Sequence, residues 1–173
     1  LETGGGAEEK RADEADDLAP ELVPPAVVFP YRKMGQSITG FRPDRSGGRF
    51  GPFAGQLFVG DFSQSVVMRA TTELVDGVWQ GACYPFREGF GTGLLALELA
   101  ESGALVTGGT NRGWPVRANG QYLLERLEWT GKTPFELARI RIQPDGFLLD
   151  FTKPVEPTRA ADGAHYRLET FTH

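Results

Sequence analysis

One cysteine and two histidines are all that this 173-residue sequence offers to thiol, soft-metal or imidazole chemistry. The lone Cys83 excludes an intramolecular disulfide framework and a CxxC metal knuckle, and its apolar surroundings predict a buried structural thiol. His165 and His173 leave almost nothing for a zinc site or a Ser-His-Asp triad. No apolar run approaches the roughly 18 residues that a membrane-spanning helix needs, and Leu1 opens neither a charged leader nor an apolar signal core. The expectation is therefore a soluble mature sequence with no membrane span. A helical hydrophobic period of useful length is also missing.

Basic charge is scarce as well, and what imbalance there is sits at one end. The net charge is −5, yet residues 1–21 alone hold eight acids against Lys10 and Arg11, which leaves the other 152 residues near +1. A near-neutral body with no basic stripe speaks against nucleic-acid binding. The acidic, Gly-led stretch has too few large apolar groups to offset its ordering entropy, so residues 1–25 are expected to form a flexible arm or solvated loop, with a short helix over 7–18 as a local alternative.

From Val27 onward, short β-rich runs alternate with Gly, Pro, Asp and Asn clusters. Strands are predicted over 36–41, 56–61, 65–72, 78–84, 94–99, 104–109, 121–129, 135–142, 147–152 and 165–171. Asp76-Gly77 and Asp145-Gly146 mark hairpin turns, because Gly tolerates positive φ. Trp79 and Trp129 lie in apolar context and are read as core. Within this texture a repeat appears. Phe29-Pro30-Tyr31-Arg32 recurs as Tyr84-Pro85-Phe86-Arg87. Leu57-Phe58-Val59-Gly60 recurs as Leu105-Val106-Thr107-Gly108, and Val66-Val67-Met68-Arg69 as Leu123-Leu124-Glu125-Arg126. Units of about 50 residues built from short antiparallel strands are the signature of β-propeller blades, which bury their faces against neighbouring blades. The expected fold is all-β: two four-stranded antiparallel β-propeller blades over 26–134 (26–84 and 85–134), followed over 135–173 by the first strands of an Ig-like β-sandwich. A free-standing sandwich or barrel is the alternative. Two blades cannot close a ring, so the remaining blades or another chain are expected partners.

The segment Thr152-Lys153-Pro154-Val155-Glu156-Pro157 resembles the opening of bacterial immunoglobulin-like domains. Lys33-Met34-Gly35-Gln36-Ser37, the run Gly51 to Asp61, and Gly108-Gly109-Thr110-Asn111-Arg112-Gly113-Trp114 resemble the last blades of large bacterial propeller proteins related to quinoprotein glucose and sorbosone dehydrogenases, of a planctomycete-like group. The resemblance implies a secreted or periplasmic location and a sugar oxidoreductase as parent. In that family pyrroloquinoline quinone (PQQ) lies over a calcium ion, a His is the base, and Lys and Arg grip the quinone's carboxylates. Here the loop corresponding to the family's Lys reads Phe62-Ser63-Gln64-Ser65, no histidine lies within 26–134, and Arg87 alone is carried over as a cofactor arginine. The isolated chain is thus expected to be non-catalytic, with PQQ and calcium belonging to an intact propeller.

Loops in a meander blade alternate between two ends, which places Arg32–Ser37, Asp61–Ser65, Arg87–Gly93 and Asn111–Gly120 on one rim. They hold the candidate ligand or cofactor residues Arg32, Gln36, Asp61, Gln64, Arg87, Asn111, Arg112, Trp114 and Arg117. Planar guanidinium donors beside an indole suit sugars or carboxylated ligands. Each has a plainer reading: Arg32 and Arg87 as strand caps or partners of acids such as Glu88, Trp114 as packing, and Asp61 as an acceptor for its own turn rather than a calcium ligand. The opposite rim carries ordinary turns such as Asp44–Gly48, Glu101–Gly103 and Thr130–Thr133. A non-catalytic carbohydrate-binding or protein-docking propeller is the alternative function.

Overall fold

The computed structural model describes residues 23–170. The acidic arm and its short helix lie outside them. Residues 25–154 form one compact unit, and 155–170 belong to a second. The first unit is all-β and its sheets are antiparallel. Strands β1 (Ile38–Pro43), β2 (Leu57–Asp61), β3 (Val66–Val75) and β4 (Val78–Arg87) make a four-stranded meander, and β5 (Leu94–Leu99), β6 (Leu105–Thr110) and β7 (Tyr122–Leu127) a three-stranded one. A hairpin, β8 (Leu137–Gln143) with β9 (Gly146–Phe151), follows.

The register carries the sequence repeat into three dimensions. Gly60 pairs with Val67 and Phe58 with Arg69; in the second sheet Gly108 pairs with Leu124 and Val106 with Arg126. Both first strands also carry a bulge at the same place, between Ile38 and Phe41 and between Leu94 and Ala96. An extra residue there strengthens the local twist, and its recurrence shows that the two meanders share more than a hydrophobic pattern.

Between the sheets lies the core. Phe58 and Val67 of the first sheet meet Leu94, Leu97 and Leu105 of the second, with Phe86, Leu99 and Leu127 at its margin. Thr39 donates its hydroxyl to Leu94 O at 2.8 Å, tying β1 to β5. Gly40 makes this approach feasible, since a Cβ there would stand 3.1 Å from Leu95 O and 3.3 Å from Leu97 N. The long loop after β1 is no ordinary turn. Asp44 and Ser46 are buried, Asp44 Oδ1 accepts from Ser46 N, Ser46 Oγ accepts from Phe50 N, and the loop delivers Phe50 and Phe53 into the core.

Arg69 crosses to this core and is 1% exposed. Its guanidinium lies 3.8 Å over the Phe53 ring and 4.9 Å over Tyr84, and it donates to Gln56 Oε1 and Leu137 O. Burial pushes its pKa down, opposed by the Glu136 carboxylate 3.5 Å away. The β8–β9 hairpin is held on by similar polar stitches: Gln56 Nε2 donates to Ala138 O, and Ile140 N donates to Tyr84 Oη. Each satisfies a backbone group that would otherwise be orphaned beside the sheet.

Several expectations need correction. The second sheet has three strands instead of four. After Leu127 the chain turns at Gly131 (φ 80°), and Pro134, lacking an N–H, cannot continue a ladder, so the next strand pairs with β9. No strand covers 165–170. Glu156 caps a short helix, α1 (Pro157–Ala160), with Pro at its start, and Asp162 caps a 3₁₀ turn over Gly163–His165. The Arg159 and Thr158 N–H groups hold the Glu156 carboxyl below its usual range. Trp79 and Trp129 are exposed rather than core; Trp129 lays its ring beside Gly51. Cys83 is half-buried, its thiol facing Val28 O.

Candidate functional site

Two carboxylates set the shape of the rim. Asp61, at the end of β2, is 0% exposed, and its Oδ2 accepts from Gln36 N at 2.6 Å and Ser37 N at 2.7 Å, while Oδ1 accepts from Gln64 N at 2.7 Å. It locks the loop before β1 to the β2–β3 turn. Glu125 does the same in the second sheet, accepting from Gly91 N through both oxygens. The 111–120 loop is fixed against the loop before β5 by Gly120 N to Gly91 O and against the β2–β3 turn by Arg117 N to Ser63 O. Loops from both sheets therefore open on one rim, held mainly through backbone groups that leave side chains available.

The rim contains a cleft of about 380 Å³ lined by Arg32, Lys33, Gln64, Phe86, Arg87 and Arg117, with Glu88 as the acid among its lining residues. Arg32 enters from a left-handed backbone (φ 61°), and its guanidinium rests 5.4 Å from the Tyr31 ring without an ion pair among the described residues. A non-glycine residue in that conformation costs on the order of 1 kcal/mol. Arg87 lies over Phe86 at 4.4 Å, donates to Phe86 O, and is 3.5 Å from Glu136 Oε1; its acid is thus Glu136. Glu88 pairs instead with Arg117 at 3.4 Å, both exposed. Such exposed pairs are weak and readily exchanged for another anion.

A second cleft of about 410 Å³ adjoins the β2–β3 turn from the other side, lined by Gln36, Ser37, Thr39, Phe62, Ser63, Leu95, Trp114 and Pro115. Gln64 Nε2 donates to Gln36 Oε1 at 2.7 Å, forming the ridge between the two clefts. Trp114 is 74% exposed, so its indole covers no core.

The nine residues singled out by sequence thus divide. Arg32, Gln64, Arg87 and Arg117 line the first cleft, and Gln36 and Trp114 the second. Asp61 lines neither, and its oxygens are occupied by backbone N–H groups. Asn111 closes its own loop through Asn119 O, and Arg112 N donates to Thr110 Oγ1, so neither lines a described cleft. Sequence reasoning missed Glu136, which joins buried Arg69 to rim Arg87. No signal pointed to it, since it lies outside the repeat and its contact depends on where the hairpin docks.

For a quinone over calcium, the donor set does not fit. No group of three or more His, Cys, Asp or Glu side chains gathers among the described residues, and Asp61 has no oxygen free of a backbone donor. Comparison with known proteins finds no matching family model, no matching curated protein and no matching solved structure.

Proposed function

We propose that β1–β7 are two adjacent blades of a β-propeller whose shared rim binds a carboxylated saccharide. One observation carries this reading: arginines from loops of both repeats, Arg32, Arg87 and Arg117, converge on a single cleft of ligand size, and the adjoining cleft is lined by the exposed Trp114. Guanidinium forks match carboxylate geometry, and an indole offers an apolar platform to a sugar face. An extracytoplasmic location, which the family resemblance implies, is where acidic polysaccharides are met. Binding is favoured over sugar oxidation because the cleft contains no histidine and gathers no metal-binding carboxylates.

Calorimetry with a galacturonate tetrasaccharide and its methyl-esterified counterpart tests the proposal. The acid should bind and the ester should not. Arg32→Ala should weaken binding about tenfold, the worth of one charge-assisted contact. Equal binding of acid and ester, or of neither, contradicts the proposal. With added PQQ and calcium, the chain should not support sugar-dependent reduction of an artificial acceptor, and turnover above a no-protein control would show that catalysis resides here.

A further inference from the structure

β7 is a sheet edge whose counterpart in the first sheet is covered. Residue for residue, β7 corresponds to β3: Leu124 and Val67 face Gly108 and Gly60, and Arg126 and Arg69 face Val106 and Phe58. β3 is flanked on both sides, by β2 and β4, and Arg69 has Tyr84 opposite it on β4. Among the described residues β7 pairs with β6 alone, and its backbone makes no hydrogen bond beyond that ladder. Its side chains are correspondingly open. Val67 is 0% exposed while Leu124 is 78% exposed, and Tyr122 is 77% exposed.

Edge strands are ordinarily guarded by Pro, Lys or a bulge, because their free N–H and C=O groups template pairing with another chain. Tyr122-Leu123-Leu124 has none of these, and the β6–β7 register runs without a shift from Tyr122 to Leu127. On the face that carries Tyr122, Leu124 and Arg126 the sequence is also complementary to itself. In an antiparallel pair centred on Leu124, Leu124 meets its own copy, and Arg126 meets Tyr122 at both ends. That places an aromatic opposite the arginine, as Tyr84 stands opposite Arg69. Arg126 is exposed, and among the described residues its ion pair is with its near neighbour Glu128.

We infer that β7 is an isologous dimer edge, at which a second copy of this chain adds its own β7 antiparallel, with Leu124 on the two-fold axis. The inference rests on the register of the two sheets and is independent of what the rim binds. Two three-stranded sheets become one of six strands, and the exposed Leu124 side chains are covered by each other. A contact of this size is small, so association is expected to be weak and concentration-dependent.

Sedimentation velocity from low micromolar to about 1 mM reads this directly. Wild type should pass from monomer to dimer. Leu124→Asp, which puts two carboxylates face to face on the axis, should remain monomeric with an unchanged circular dichroism spectrum. In a Cys83→Ser background, a nitroxide on Leu124→Cys should show dipolar broadening in the dimer, because directly opposed Cβ atoms lie about 5 Å apart. A label on Leu95→Cys, away from the edge, should not. Wild type monomeric throughout, a Leu124→Asp dimer, or unbroadened Leu124 labels in a dimer would each overturn the inference.

Discussion

Asp61 and Arg32 show how differently two polar residues on one rim can serve it. Of the two roles open to Asp61 from sequence, calcium ligand or acceptor for its own turn, its three backbone donors support the second and extend it across 25 residues of chain. Asp61→Ala should cost about 2–4 kcal/mol in urea unfolding, since it removes three charge-assisted hydrogen bonds to part-buried N–H groups. Arg32 is the reverse: it sits at positive φ, a conformation that Gly would adopt without strain, in a turn whose hydrogen bonds come from its backbone and not its side chain. Arg32→Gly is expected to hold or raise the unfolding midpoint while weakening acidic-saccharide binding, a split that a merely structural arginine would not give. Trp114→Ala should weaken binding by on the order of 1 to 3 kcal/mol without changing stability, because the indole is open to solvent. Cys83 offers a pH test. Desolvation raises its thiol pKa, so its contribution to stability is fully present at neutral pH and is lost as pH rises through the alkaline range. Alkylation in the native protein should accordingly be slower than in urea at the same mildly alkaline pH, and equal rates would contradict this.

At the scale of elements, most strands are legible because all of β1–β9 except the Leu-rich β5 contain β-branched or aromatic residues, with Gly or Pro near their ends. Asp76-Gly77 turns with both residues at positive φ, the conformation its composition predicts. The failures have physical causes. The sequence reads Asp44–Gly48 as an ordinary turn, yet the loop it opens brings Phe50 and Phe53 into the core. Near the end, Tyr166 and Leu168 suggested alternation, while two capped turns at Glu156 and Asp162 already shaped the backbone before them. The tandem Gly108-Gly109 gives a sharp test of the β5–β6 approach. A Cβ on Gly109 would collide with Gly93 O, whereas one on Gly108 meets only Leu124 Cδ1 at 3.8 Å. Gly109→Ala should cost at least about 2 kcal/mol, and Gly108→Ala should be close to neutral. Similar values for the two would mean that this backbone contact is wrong.

Across the molecule, the repeat was readable because paired strands keep their register: the alignment of Val67 with Leu124 and of Gly60 with Gly108 is the alignment the ladders adopt. The rim was readable only in outline. Alternating loop ends placed the right loops together, but which side chains reach a common cleft depends on Asp61, Glu125 and the docked hairpin, none of which a linear pattern reveals. The central claim is that one ligand engages loops of both sheets at once. Amide and side-chain NMR spectra, titrated with the galacturonate tetrasaccharide, test it most directly. The Gln64 and Arg117 amides and the Trp114 Nε1 signal should shift together along a single binding curve. Shifts confined to one sheet, or no shifts at saturating ligand, would contradict it.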